Sequence, residues 1–285
     1  MINTINIITI NNFLKISDFG LMKNYPIKNL EYNPINIVDI KNNDIIFIKT
    51  DYLMEFNELI SNTNKSIILI SGNSSFIIDD KYLPIVNNNR IIKWYTTNSI
   101  LKHDKIINIP IGLQNEHLYF HNNPQSDQKL LKSIINTNIN KELNVLLSFN
   151  VNTNPLHRKP IYDLLSNEDY VDIRIFSSND RYDKNFMINY YKEIKRHKFV
   201  VCPLGTGPDC HRYWEVLYLG TIPIIQKHIA LDPFFENDKL PVLYIDKITD
   251  INVKLLEYEY NRIKTKKYDL SILDFSYWEN KIKKI

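Results

Sequence analysis

The chain has 285 residues, of which 44% are hydrophobic and 24% charged. That is enough apolar content to bury a core and too much for a disordered chain, and at roughly 150 residues per domain the length favours two domains. Lysine and arginine number 35 against 32 aspartates and glutamates, a net charge of +3 too mild to signal a nucleic-acid partner. The two cysteines, Cys202 and Cys210, exclude a disulfide framework and a cysteine-rich zinc site.

Short runs rich in isoleucine and valine read as strands, and the longer segments of helical period between them as helices. In the first half the predicted strands are Ile5–Ile10, Asp44–Lys49, Ser66–Ser71, Arg90–Tyr95 and Lys105–Ile109, with a helix over Tyr52–Ile60. A polar stretch, His121–Glu142, follows and contains a helical segment at Leu130–Ile135. In the second half the predicted strands are Asn144–Phe149, Val171–Phe176, Phe199–Cys202, Ile222–Gln226 and Val242–Ile245. The helices between them are Leu156–Leu165, Asn185–His197, Asp209–Leu219 and a short one at Leu231–Asn237; a last helix, Leu273–Ile285, carries Phe275, Trp278 and Ile282 on one stripe and can pack back on the first domain.

No apolar run approaches the ~20 residues that span a bilayer. Met1–Ile10 has neither a basic leader nor a small-residue cleavage site, so no signal peptide and a cytoplasmic location are expected.

Strand–helix alternation occurs twice, and the strands are apolar on both faces, as in parallel sheets covered on both sides. The expected fold is α/β, with two Rossmann-like domains over residues 1–130 and 131–285. The composition is rich in asparagine and isoleucine and holds only six glycines, as in proteins of AT-rich genomes such as those of parasites, symbionts or large viruses. The glycines that remain are expected where no other residue fits. Gly72, Gly112, Gly205 and Gly207 each follow the carboxyl end of a predicted strand, where open parallel sheets bind ligands. A ligand cleft between the two domains follows from that placement.

The segment from Lys198 to Ile225 carries the chemistry. A buried strand ends in the loop Gly205-Thr206-Gly207, Asp209 is placed to cap a helix, and Gly220 stops it. A small loop that opens a helix directs backbone N–H groups at an anion, phosphate above all. His211 and Arg212 add donors in the first turn, and Glu215, three residues beyond Arg212, shares its face and can accept bonds from a ribose diol. A dehydrogenase fingerprint would need a third glycine where Cys210 stands, so a nicotinamide site is disfavoured.

With these residues in place, the segment resembles the exostosin-like glycosyltransferases, family 47 of the sugar-transfer enzymes. The matching positions are Lys198, Phe199, Pro203, Gly205, Gly207, Asp209, Arg212, Trp214, Glu215, Gly220, Pro223 and Ile225. More weakly, Asn144–Phe149 followed by Arg158 resembles the first strand of that family's donor domain and its loop arginine. Lys93–Asn98 and Ile109–Leu113 resemble amino-domain segments of its shorter relatives. The resemblance implies a GT-B architecture, two facing Rossmann-like domains with the nucleotide-sugar donor in the carboxyl domain and a glycan acceptor in the amino domain. It implies an inverting transfer from a UDP-sugar as co-substrate, with no metal and no cofactor; no Asp-x-Asp pair occurs in the chain. Arg158, Arg212 and the amides of the Gly205, Thr206 and Gly207 loop would hold the diphosphate and Glu215 the ribose, with Asp209 and His211 also among the donor-binding residues.

An inverting transfer needs a base for the acceptor hydroxyl. Candidates across the cleft are Asp51, Asp79, Asp80 and Glu116, with Asp79 first by its nearness to Gly72. Soluble relatives tend to carry an aspartate where this chain has Ser75. His117 and His121 form the one pair with metal-like spacing, but the Asn122-Asn123-Pro124 that follows argues against a helix there, and no metal site is expected. Cys202 reads as a buried strand residue and Cys210 as a first-turn residue whose thiol a helix terminus can activate. Trp94 and Tyr95 are candidates to stack on sugars. Two other readings stay open: a degenerate module that binds nucleotide or glycan without transfer, and a transferase acting on DNA bases.

Overall fold

The computed structural model describes residues 5–22, 32–115, 127–175 and 183–285; Asp127, Leu143 and Lys184 are described in backbone only. Glu116, His117, His121 and the Phe176 end of one predicted strand lie outside the described residues.

The first sheet holds β1 (Phe19–Leu21), β2 (Ile45–Lys49), β3 (Ile67–Gly72), β4 (Ile91–Thr96) and β5 (Ile106–Asn108), side by side in chain order and parallel throughout. The helices of this half are α1 (Ile10–Lys15), α2 (Leu53–Ser61) and α3 (Leu83–Val86). Their buried side chains divide between the two faces of the sheet. Ile46, Ile48, Ile67 and Leu69 pack on Leu53, Phe56 and Ile60 of α2 and on Ile85 and Val86 of α3, while Phe47, Ile68, Ile70 and Tyr95 face the other way. Strands laid down in one direction by right-handed crossovers place their helices on one face.

The opposite face is covered by the two ends of the chain. After α4 (Asp127–Ile135) the second sheet is built from β6 (Leu143–Leu147), α5 (Pro155–Leu165), β7 (Val171–Ile173), α6 (Lys184–Arg196), β8 (His197–Val201), α7 (His211–Tyr218), β9 (Ile222–Gln226), α8 (Asp232–Phe235) and β10 (Leu243–Ile245). Two further helices, α9 (Val253–Thr265) and α10 (Phe275–Lys283), close the chain. Helix α10 returns to the first sheet: Phe275 meets Phe13 of α1 edge to face at 5.2 Å, the Phe275 N–H donates to Asn6 O at 2.8 Å, and the Tyr95 hydroxyl donates to Lys281 O at 3.2 Å.

The second sheet runs β10-β9-β8-β6-β7, all parallel. The chain goes outward from β6 to β7, then returns to lay β8 on the other side of β6. That reversal opens a crevice at the carboxyl ends of β6 and β8, the place where open α/β sheets bind ligands. Val145, Leu147, Phe199, Val201, Ile222 and Ile224 pack against α5 and α9, and Leu146, Val200 and Ile225 face a core shared with the first half. Each such side chain, fully buried, contributes about 1.5–3 kcal/mol of transfer free energy. The architecture is therefore α/β, with two parallel five-stranded sheets and a cleft between two halves, the arrangement that GT-B denotes.

Two local expectations change. Ile5–Ile10 is not a strand: it makes only isolated bridges, and α1 begins at Ile10. The Asn12 side-chain Oδ1 accepts both the Thr9 N–H, at 2.9 Å, and the Thr9 hydroxyl, which turns the chain into a helix whose Ile10, Phe13 and Leu14 are buried. Helix α7 starts at His211, with Cys210 rather than Asp209 in the capping position. Arg158 sits on helix α5, within the predicted helix Leu156–Leu165.

Among the described residues no helix is long and apolar enough to cross a membrane.

Candidate active site in the cleft

The carboxyl ends of both sheets open onto one cavity of about 520 Å³. The second half supplies Asn150 and Thr153 after β6, Arg158 from α5, Phe186, Met187 and Tyr190 from α6, and Gly205–Gly207 and Asp209–Arg212 after β8. From the first half come Ile10, Asn73–Ser75 after β3, and Ile111, Gln114 and Asn115 after β5.

Arg158 ties the two loops of the crevice together. It is 5% exposed; its Nε donates to Leu204 O and its Nη1 to Asn150 O, both at 2.8 Å. Asn154 adds a bond from Nδ2 to Gly205 O at 2.8 Å. The Gly205–Gly207 loop is thus pinned from α5, and the guanidinium lies in the cavity wall beside it.

Helix α7 points its amino end at the same place. Cys210 makes no side-chain cap, and its backbone carbonyl accepts the Tyr213 N–H at 3.2 Å. The positive end of the helix dipole and the buried Arg212 guanidinium share this wall. Arg212 Nε reaches the Tyr190 hydroxyl at 3.4 Å, and that hydroxyl donates to Glu215 Oε2 at 3.1 Å. Glu215 is 1% exposed and lies behind Tyr190, outside the cavity lining. Tyr190 lines the cavity without a signal in the sequence, where it is one of several tyrosines on an amphipathic helix, and only the return of α6 into β8 places it here.

Asp209 lines the cavity, but its carboxylate spans the two halves. Oδ2 accepts the Ile111 N–H at 2.7 Å and Oδ1 accepts Trp214 Nε1–H at 2.8 Å. Its own N–H donates to Asn98 Oδ1 at 2.9 Å, from a residue held at φ 59°, a left-handed conformation that asparagine tolerates. Burial pushes the Asp209 carboxyl up to about 7, against the pull of the N–H donors. Gly207 owes its identity to the same junction. A Cβ there would lie 3.0 Å from Ser75 O and 3.2 Å from Ser75 Cα, so a side chain would drive the first half's loop away. His211 crosses as well, with Nδ1 2.8 Å from Gly112 O. Thr206 is exposed at the mouth of the cavity.

The structure thus brings together Arg158, Gly205, Thr206, Gly207, Asp209, His211 and Arg212, and sets Glu215 one layer behind them. It does not bring Asp79 there: that residue caps a short turn, its Oδ1 accepting the Lys81 N–H at 3.3 Å, and it is not among the lining residues. Asp80 is exposed, and Asp51 pairs with Lys49 at 2.5 Å. Ser75 does line the cavity. Trp94 and Tyr95 are buried in the first sheet and cannot stack on a sugar. The exposed aromatic beside the site is Phe76, 46% exposed next to Ser75, with Lys81 Nζ 5.2 Å from its ring. Burial pushes the Cys210 thiol up, which opposes the activation expected at a helix terminus. Among the described residues no group of three or more histidines, cysteines, aspartates or glutamates is placed to hold a metal ion.

No protein-family model and no curated protein matches the chain. Among solved structures it is matched with one described as a GtfA/B complex, at 10% identity and a TM-score of 0.41, over 87% of this chain and 58% of that one. The chain therefore spans less than two thirds of the length of that match.

Proposed function

We propose that this protein is an inverting, metal-independent glycosyltransferase that moves a sugar from a nucleotide-sugar, a UDP-sugar, to a hydroxyl of a glycan acceptor. The observation that carries the reading is the convergence of the Gly205–Gly207 loop, the amino end of α7 and the guanidiniums of Arg158 and Arg212 on one cavity at the strand-order reversal of the second sheet. Such a wall suits a diphosphate, which is both bound in the donor and released as the leaving group. Fixed cationic side chains and helix amides supply the charge that a divalent ion supplies in other sugar transferases. The resemblance of Lys198–Ile225 to exostosin-like enzymes supports the same assignment. Tyr190 and Glu215 hold the Arg212 side chain, with Glu215 acting through Tyr190.

The opposite wall suits a glycan. Asn73, Ser74, Ser75, Gln114 and Asn115 offer amides and hydroxyls, the groups that pair with sugar hydroxyls.

The test is a transfer assay in EDTA with UDP-sugars and oligosaccharide acceptors, with the anomeric configuration of donor and product compared by NMR. Product of inverted configuration supports the proposal; retention, or a strict need for added metal, contradicts it. One observation favours a second reading, a binding module without transfer: the described lining from the first half contains no carboxylate. That reading predicts UDP binding with no product from any acceptor.

A further inference from the structure

We infer that the seam between the two halves holds a second ligand site, outside the cleft, which binds an oligosaccharide and tethers the glycan acceptor. The tethering role rests on the glycosyltransferase reading above; the binding of an oligosaccharide does not.

A cavity of about 900 Å³ lies against β5, the edge strand of the first sheet, and shares no lining residue with the cleft cavity. Both halves build it: β5 and the turn before it from the first, and Pro233 and Phe234 of α8, residues 267–269 and α10 from the second. Asn108 anchors one wall to the other half, its Nδ2 donating to Ala230 O at 3.2 Å. Asn108 lines this cavity and Ile111 lines the cleft. Three residues span at most about 11 Å, so one glycan chain can reach both.

The lining suits a polyol. A sugar carries hydroxyls that both donate and accept, and a ring face of C–H groups. Four lysines offer donors, and Asp104, Asp238 and Asp269 offer acceptors. Tyr268 and Tyr277 are half-buried in the wall, and such rings cover the apolar face of a sugar. The aromatic wall is preformed. Tyr277 meets Trp278 edge to face at 5.1 Å, and Trp278 Nε1–H donates to Ile272 O at 3.0 Å. Lys266 Nζ lies 5.4 Å from the centre of the Tyr268 ring. The Tyr268 hydroxyl is buried and has no hydrogen-bond partner among the described residues. Buried hydroxyls are ordinarily paired, and a ligand hydroxyl at this wall supplies the partner.

Charge narrows the class of ligand. Lysines and aspartates share the lining, four against three, and Asp238 is also held by Arg262 and Lys266. A nucleic-acid surface carries one sign of charge, and carboxylates in the wall repel a phosphate backbone. The hydroxyls of an uncharged oligosaccharide meet both signs.

The chain's three tryptophans make the test specific to the site. Trp278 lines this cavity, Trp214 donates to Asp209 at the cleft, and Trp94 donates to Ser71 Oγ inside the first sheet. Their indole N–H signals are followed by NMR on isotope-labelled full-length protein, titrated with cellohexaose, chitohexaose and maltohexaose, each with and without UDP. A thymidine oligonucleotide is titrated beside them. The expected result is a saturable shift of the Trp278 signal with at least one hexasaccharide, with and without UDP, and an unmoved Trp94. Tyr268→Phe and Lys267→Ala, both folded by circular dichroism, should each weaken that binding about two- to tenfold, the worth of one hydrogen bond. In transfer assays the same variants should raise KM for a hexasaccharide acceptor by a similar factor and leave kcat and the KM for a disaccharide unchanged, because a tether acts through local concentration. An unmoved Trp278 with all three hexasaccharides, or equal affinity in wild type and both variants, overturns the proposal. A Trp278 shift with the oligonucleotide alone also overturns it, making the cavity a nucleic-acid site. If UDP leaves Trp214 unmoved and no product forms, the glycosyltransferase reading fails, and the Trp278 titration still decides whether the cavity binds sugar.

Discussion

Asp209 accepts the backbone N–H of Ile111 at 2.7 Å, across the cleft between the two sheets. The same carboxylate takes Trp214 Nε1–H, so one buried side chain on the loop leading into α7 sets the spacing of the two halves and anchors the helix whose end faces the cavity. The site depends on this junction, because its two walls come from different sheets.

Asp209→Asn should destabilise the protein by about 1–3 kcal/mol, because an amide must turn its NH2 against one of two buried N–H donors. The effect depends on pH. The folded carboxyl is raised from its ordinary 3.8 to about 7, so between those values the unfolded chain has lost a proton that the folded chain keeps. This group's contribution to stability is therefore greatest below about 4 and falls as pH rises to 7. Urea unfolding at pH 5 and pH 8 should show a wider gap between wild type and Asp209→Asn at pH 5; a gap that widens toward pH 8 would contradict the assignment.

Arg212→Ala should weaken UDP binding about 10- to 100-fold, the worth of a charge-assisted contact of ~1.5–3 kcal/mol. Tyr190→Phe should weaken it less while also lowering the melting temperature, because Glu215 Oε2 loses the hydroxyl donor it has inside the fold. Equal losses of affinity in the two variants would argue that Tyr190 itself touches the donor.

Gly207→Ala tests the junction from the other side. Its Cβ meets Ser75 backbone at 3.0 Å, and overpacking of this kind costs about 1–3 kcal/mol. The variant should melt several degrees lower and bind UDP less well. Unchanged melting would show that the Ser75 loop yields without cost.

Phe76→Ala should raise KM for the acceptor several-fold and leave UDP affinity unchanged. The ring is exposed at the rim of the first half's wall, with Lys81 beside it, and an aromatic face there can cover the apolar face of a sugar. Saturation kinetics with each substrate in turn separate the two constants.

The second sheet is legible in the sequence because its strands are apolar on both faces and its loops are punctuated by Gly205, Gly207 and Gly220. Ile222–Gln226 falls where expected to the residue, and Arg158, His211 and Arg212 reach the cavity. The first sheet is harder. Phe19–Leu21 is too short to show a period, and Ile5–Ile10 reads as a strand until Asn12 is seen to hold Thr9. Asp79 attracts attention by its nearness to Gly72 in sequence, but the local bond to Lys81 N–H holds it outside the cavity. Glu215 shares a helix with Arg212, and a helical spacing cannot tell that Tyr190, from another element, stands between it and the cavity. Contacts between the halves, such as Asp209 with Ile111 and His211 with Gly112, join residues about a hundred positions apart and leave no local signal.

The measurement that bears most directly on the central claim is calorimetric titration of the wild-type protein with UDP in EDTA, beside the double variant Arg158→Ala/Arg212→Ala. The expected result is saturable one-to-one binding to wild type that survives the chelator and is lost in the variant, with the variant still folded by circular dichroism. No binding to wild type, or equal binding to both proteins, would contradict the assignment of the cavity as a nucleotide-sugar site.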